Sequence, residues 1–266
     1  MNQDYRPYQA VAERVAVEAG ELLLQAYGQV SARQKRSGDL VTDADLASQK
    51  LITERLAESF PDHTLLAEEE EVGPDPSKPW RWVVDPLDGT INFAHGFPYW
   101  CVSIALEHED RLVVGVVHDP SRGTTYSASE GAGTTRNGRP VRVSVADRLR
   151  DSLIATALPI DFLEDVDRQV AYFLRFSSKT HSVRRTGSSA LNLALLASGA
   201  FEVCYATFMH PWDAAAGVVL VREAGGMVTE LSGAPYDLYA EGILATNGQV
   251  HAEALRTLAE ARGPRP

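Results

Sequence analysis

Apolar positions first recur at helical spacing over residues 8–27, where Val11, Val15, Ala19, Leu22, Leu23 and Ala26 form a stripe that ends at Gly28. A second helix is predicted over 43–59, with Leu46, Leu51, Ile52 and Leu56 on one side. Residues 72–79 are Pro-rich and read as a surface loop. Arg81 to Pro86 then reads as a short buried strand ended by its proline. Strands follow over 100–107 and 112–118 around a Glu109-Asp110-Arg111 turn, and Asn137-Gly138 predicts a hairpin joining 124–129 to 140–145.

Beyond about residue 150 strands and helices alternate. Strands are predicted at 152–157, 181–186, 202–206, 227–231 and 242–246. Helices are predicted near 164–176, from Ser188-Ser189 to about Ser198, from Trp212 to Ala224, and over 249–262. The expectation is an α/β protein of two sheets layered with helices, divided into halves 1–150 and 151–266 with a cleft between them.

Composition narrows the function. The 266 residues are 44% hydrophobic and 23% charged, within the range of globular proteins. A net charge of −11 argues against a nucleic-acid binder that works by bulk charge, but leaves an anionic small substrate open, since a bound cation can reverse the local potential. Cys101 and Cys204 sit in apolar runs and read as buried reduced thiols. The N-terminus lacks a signal pattern, and no apolar run reaches the ~18 residues of a membrane span. The expectation is a cytoplasmic protein with no membrane partner.

The candidate chemistry is acidic. The apolar run Trp82-Val83-Val84 delivers Asp85, and Pro86-Leu87-Asp88-Gly89-Thr90 bends the chain so that two carboxylates three residues apart can converge. Oxygen-only ligands of this kind suit Mg²⁺ or Ca²⁺ rather than zinc. Ordinary turn chemistry predicts the same letters. Glu68, first of four consecutive glutamates, follows Leu65-Leu66-Ala67, where a strand would end. Asp213 opens an apolar helix, where the helix dipole also favours a carboxylate. Asp45 lies in Thr42-Asp43-Ala44-Asp45, which has the form of a capping box. Competing motifs fail on spacing: residues 133–140 lack the Lys-Ser/Thr of a P-loop, and the histidines are scattered rather than set at zinc spacing.

In this order the segments Asp39-Leu40-Val41-Thr42-x-x-Asp45, Glu68-Glu69, Asp85-Pro86-Leu87-Asp88-Gly89-Thr90-x-Asn92-Phe93, Trp212-Asp213-x-Ala215-Ala216-Gly217 and Glu223-Ala224-Gly225-Gly226 resemble the inositol monophosphatase family of Mg²⁺-dependent, lithium-sensitive phosphatases. The resemblance runs from about residue 8 to 262. It implies a layered α/β/α/β/α sandwich, usually a homodimer, with two or three Mg²⁺ ions per site. Carried over residue by residue, Glu68, Asp85 and the Leu87 carbonyl would hold one metal. Asp85, Asp88 and Asp213 would hold a second, and Glu68 would serve a weaker third ion through water. Thr90, with Asp45 behind it, would activate the attacking water together with Glu68. Asp88, the backbone N–H groups of Gly89 and Thr90, the Ser188-Ser189 turn and Asp213 would contact substrate. His95 matches a common family residue and reads as structural or close to a dimer contact.

One position departs from the pattern. Inositol phosphatases commonly carry a Glu seven residues before the Trp-Asp aspartate, where it binds a ring hydroxyl; here that residue is Ala206, and Phe208 and Met209 make the edge apolar. The reading is therefore Mg²⁺-dependent hydrolysis of a small phosphate monoester of the inositol 1-phosphate type. Fructose 1,6-bisphosphate, histidinol phosphate and phosphoadenosine nucleotides are alternative substrates for the same chemistry. A non-catalytic, metal-binding regulatory protein is the reading from another class.

Overall fold

The structure, a computed structural model, describes residues 3–28, 33–36, 39–69, 78–157, 166–240 and 242–261. It opens with α1 (Arg6–Ala26), a small hairpin of β1 (Arg33–Arg36) and β2 (Asp39–Val41), and α2 (Asp43–Ser59). Then come β3 (Thr64–Ala67), β4 (Trp80–Asp88), the five-residue helix α3 (Thr90–Ala94), β5 (Cys101–His108), β6 (Arg111–Asp119), β7 (Thr124–Ser129), β8 (Gly133–Arg136) and β9 (Arg139–Val141). Strands β3 to β9 make one seven-stranded sheet in sequence order, antiparallel except for β3 beside β4.

The later part contains β10 (Leu153–Ala157), α4 (Val166–Lys179), β11 (Ser182–Arg185), α5 (Ser189–Ala197), β12 (Val203–Ala206), α6 (Pro211–Glu223), β13 (Met227–Thr229), β14 (Ile243–Thr246) and α7 (His251–Ala261). Its sheet runs β11-β10-β12-β14-β13 and mixes parallel with antiparallel pairs.

Strand alternation assigns each face. Trp82, Val84, Ile104 and Val116 point to one side and bury Val15, Ala19 and Leu23 of α1 and Ile52 and Leu56 of α2. Val83, Ala105 and Val117 point to the other side, against α5 and α6. A third core sets Tyr172 and Phe176 of α4 and Ala254 and Leu258 of α7 on the outer face of the five-stranded sheet, over Tyr205 and Leu244. The layers are therefore α/β/α/β/α. Close approach fixes the middle layer: a Cβ at Gly115 would lie 2.4 Å from the Ala216 carbonyl oxygen, so α6 rests directly on β6.

Several expectations change. Pro86 does not end its strand. β4 continues to Asp88 through a bulge, because Asp85 pairs with Ser103 while Asp88 pairs with Cys101. A residue without an N–H is tolerated where a bulge already interrupts the ladder. Asn137-Gly138 does form a tight turn, with φ of 49° and 73°, but it joins β8 to β9 rather than 124–129 to 140–145. Leu46 is 48% exposed and lies off the buried face of α2, which Ala44, Asp45, Ser48, Gln49, Ile52 and Leu56 make. The predicted loop at 72–79 lies outside the described residues except for Lys78 and Pro79.

Candidate active site

The bulge in β4 decides the site. In a regular strand residues three apart face opposite sides; one extra residue resets that parity. Leu87 therefore enters the α1/α2 core, while Asp85 and Asp88 both turn towards the middle layer. The bulge is itself anchored, since Ser48 Oγ of α2 donates to the Pro86 carbonyl at 2.9 Å and the Leu87 N–H donates to Asp85 Oδ1 at 3.0 Å.

Asp88 is gripped from across the molecule. Ser188 Oγ donates to Asp88 Oδ2 at 2.6 Å, the Ala190 N–H to Oδ2 at 2.6 Å, and the Ser189 N–H to Oδ1 at 3.2 Å. The start of α5 thus supplies its anion-binding end to a carboxylate of the same chain. Ser188 also caps α5 by accepting from the Leu191 N–H, so one side chain both starts the helix and holds Asp88. The Cys101 thiol lies 3.7 Å from Asp88 Oδ2.

Asp213 stands three residues into α6, where its carboxylate accepts the His210 N–H at 3.0 Å. Ser103, the strand partner of Asp85, donates to the Trp212 carbonyl at 3.3 Å and ties this helix start to the sheet. As a result Asp85, Asp88 and Asp213 each bring one carboxylate oxygen within 4.8 Å of the others. Glu68 leaves the end of β3 beside them: its N–H donates to the Val84 carbonyl at 3.3 Å, and the next N–H, of Glu69, is held by Gln49 of α2 at 2.9 Å.

The electrostatics follow from this crowding. Burial, and then the charges of Glu68, Asp88 and Asp213, push the Asp85 carboxyl well above the usual carboxylate range. Burial also raises Asp88, against the hydrogen bonds from Ser188, Ala190 and Ser189. Buried acids that repel one another and offer only oxygen donors fit a hard divalent cation, which would supply the missing counter-charge.

Beside them sits a second unit. Gly89 adopts φ 99°, where a Cβ would come within 3.0 Å of the Tyr99 carbonyl oxygen, and it starts α3. Thr90 Oγ1 then lies 2.9 Å from Asp45 Oδ1 and 3.0 Å from the Leu87 carbonyl oxygen. Asp45 is buried at the start of α2, where the predicted capping box is present: its Oδ2 accepts the Thr42 N–H at 2.9 Å and the Thr42 hydroxyl. Burial raises its carboxyl, and those hydrogen bonds oppose the rise. His95 is exposed at the end of α3.

Among the described residues, Asp85, Asp88 and Asp213 bring carboxylate oxygens within 4.8 Å of one another; Ser188 and Ser189 hold Asp88, Thr90 joins Asp45 to the Leu87 carbonyl, and the charge of Glu68 acts on Asp85. Sequence reasoning missed Ser48, Gln49, Ser103 and the Ala190 N–H. The one usable signal was the Gly187-Ser188-Ser189 helix start, an anion-binding end whose anion proves to be Asp88.

Comparison with known proteins agrees. The chain is 39% identical to an inositol-1-monophosphatase of Synechocystis sp., over 96% of this chain and 90% of that one. It is 36% identical to a putative Nus factor SuhB of Neisseria meningitidis serogroup B, over 95% and 98%. The solved inositol monophosphatase of Anabaena (Nostoc) sp. PCC 7120 superposes with a TM-score of 0.89 at 36% identity, covering 97% of each chain. The fold and site define a phosphoric monoester hydrolase of a metal-dependent class. Within that class the chain belongs to the inositol monophosphatase family, whose model matches residues 4–263.

Proposed function

We propose that this enzyme hydrolyses small phosphate monoesters of the inositol 1-phosphate type with Mg²⁺, as a lithium-sensitive cytoplasmic homodimer. The observation that carries the reading is the meeting of Asp85, Asp88 and Asp213 beside Glu68, where the negative charges of Glu68, Asp88 and Asp213 all act on the buried Asp85. Two or three Mg²⁺ ions would be held by these four carboxylates and the Leu87 carbonyl. When bound, such ions neutralise phosphoryl oxygens and lower the pKa of water.

The chain's own residues do the rest. The Asp45 carboxylate is a stronger acceptor than the Leu87 carbonyl, so it claims the Thr90 hydroxyl proton. As the Thr90 oxygen takes a proton from the attacking water, oriented together with Glu68, its own hydroxyl proton passes to the Asp45 carboxylate. The N–H groups of Gly89 and Thr90 hold the phosphate. The Ser188-Ser189 turn, Asp88 and Asp213 face the alcohol. Residues 1–150 form the half carrying Glu68, Asp85 and Asp88, and residues 151–266 the half that adds Asp213; the seven- and five-stranded sheets, which fall on either side of residue 150, support that division. Exposed Ile91 and Phe97, flanking His95, support a contact between copies, which sedimentation of the purified chain tests.

Phosphate release is the test of the chemistry. Inositol 1-phosphate, fructose 1,6-bisphosphate, histidinol phosphate, 3′-phosphoadenosine 5′-phosphate and glycerol 2-phosphate are assayed with Mg²⁺ and with EDTA. Release from at least one, abolished by EDTA, supports the reading and ranks the substrates. Release that persists in EDTA, or none from any ester, refutes it.

A further inference from the structure

Three segments of chain meet at one corner beside Asp88. Gly89 follows Asp88 directly. Tyr99 stands two residues before Cys101, the strand partner of Asp88. Gly187 precedes Ser188, which donates to Asp88. The approach is close: a Cβ at Gly89 would lie 3.0 Å from the Tyr99 carbonyl oxygen and 3.2 Å from the Gly187 carbonyl oxygen. Gly187 takes φ 90°, and a Cβ there would come within 2.7 Å of the Asn92 amide nitrogen.

Two asparagines tie this corner together. Asn92 of α3 donates from Nδ2 to the Tyr99 carbonyl at 2.7 Å and to the Thr186 carbonyl at 2.9 Å. Its own backbone carbonyl accepts the Phe97 N–H at 2.8 Å, which fixes the loop it stands on. Asn192 of α5 is buried and acts on the same two residues through their side chains: Oδ1 accepts the Tyr99 hydroxyl at 2.7 Å and the Thr186 hydroxyl at 2.7 Å. Both N–H bonds of the Asn92 amide and both lone pairs of Asn192 Oδ1 are thus spent on one pair of residues. Tyr99 and Thr186 are each held twice, once by the backbone and once by the side chain.

Thr186 lies two residues ahead of the helix start whose Ser188, Ser189 and Ala190 grip Asp88. A carboxylate that is to ligate a metal must be aimed by the groups behind it. Resting on the phosphatase reading above, we propose that Asn92 and Asn192 are positioning residues of the metal site: by fastening Thr186 to Tyr99 they seat the start of α5 so that it holds Asp88 in place for a divalent ion. Both act through Asp88.

The test reads Mg²⁺ affinity twice, by calorimetric binding without substrate and by the Mg²⁺ concentration for half-maximal phosphate release. Asn92→Ala should weaken Mg²⁺ about tenfold in both, the lower end of what supporting groups contribute. Tyr99→Phe leaves the two backbone bonds and removes one hydroxyl from Asn192; it should weaken Mg²⁺ about threefold, and it carries the test if Asn92→Ala does not fold. Asn247 is the control. It too is a buried asparagine whose Nδ2 bridges two carbonyls, of Ser144 at 3.3 Å and Ala146 at 2.8 Å. Asn247→Ala should lower Tm and leave Mg²⁺ affinity unchanged. If Asn92→Ala and Tyr99→Phe lose only Tm, as Asn247→Ala does, the positioning role is overturned while the phosphatase reading stands. Weakening in Asn92→Ala with none in Tyr99→Phe overturns the part given to Asn192. If the wild-type protein neither binds Mg²⁺ nor releases phosphate from any ester, both readings are overturned.

Discussion

Asp85→Asn should make the metal-free protein more stable while removing its activity. Asp85 is buried with oxygens of Asp88 and Asp213 within 4.8 Å, and the charge of Glu68 acts on it too. At an effective dielectric of about 20, each pair at that separation repels by about 3.5 kcal/mol when both are ionised. A proton can relieve the strain, which limits the cost to about 1.4 kcal/mol per pH unit above the ordinary carboxylate pKa, or about 5 kcal/mol at pH 7.5. Asn keeps the shape and can still accept the Leu87 N–H, but carries no charge. We expect a gain of about 2 kcal/mol in EDTA, a rise in Tm of about 4–8 °C for a chain of this size. Mg²⁺ should reverse the order. At 100 times its Kd a ligand stabilises by about 2.7 kcal/mol, and the variant should lose most of that. Differential scanning calorimetry of both proteins, with EDTA and with Mg²⁺, reads the crossover. An Asp85→Asn protein that is less stable than wild type in EDTA would refute the reasoning, because burial and repulsion would then not dominate at this carboxyl.

Three further outcomes follow from the same geometry. Thr90→Val keeps the shape but removes the hydroxyl between Asp45 and the Leu87 carbonyl; kcat should fall by about 10²–10⁴ with little change in Tm, measured by steady-state kinetics and thermal melting. Ser188→Ala removes a 2.6 Å donor to Asp88, and the Mg²⁺ concentration for half-maximal rate should rise about 10–100-fold in a metal titration. The pH profile should lose activity on its acid side. Asp45, Asp85 and Asp88 all have raised carboxyls, so they take up protons at a higher pH than free carboxylates do, and the charged forms are lost as pH falls through the raised values. Because protons and Mg²⁺ compete for Asp85 and Asp88, a higher Mg²⁺ concentration should move that limb to lower pH. The same shifts make the metal-free fold more stable on the acid side, an effect lost as pH rises through the raised values.

Local chemistry made much of the chain legible. The bounds of α2 match the expected 43–59 because Thr42 and Asp45 carry a complete start signal within four residues. The tight turn at Asn137-Gly138 was visible for the same reason, since Asn and Gly tolerate positive φ; at Glu109-Asp110 only the aspartate carries that preference. Short elements were harder. Five residues of α3 are too few to show a period, and Gly133–Arg136 is too polar to announce itself as a strand, so the hairpin was given the wrong partner.

What the sequence determined by itself was the supply of acids and the local signal each belongs to: Asp85 at the end of an apolar strand, Asp88 in the turn expected after it, Asp213 at the head of a helix, Asp45 in a helix cap. These follow from propensities and hydrogen bonds that span only a few residues. Tertiary structure alone decided that they meet. The bulge that turns Asp85 and Asp88 to one side appears only in the pairing of β4 with β5. The helix start that holds Asp88 comes from a hundred residues further along the chain, and Asp213 reaches the cluster only because the first turn of α6 is tied to β5 through Ser103. Convergence of this kind depends on packing between distant elements, which no local spacing encodes.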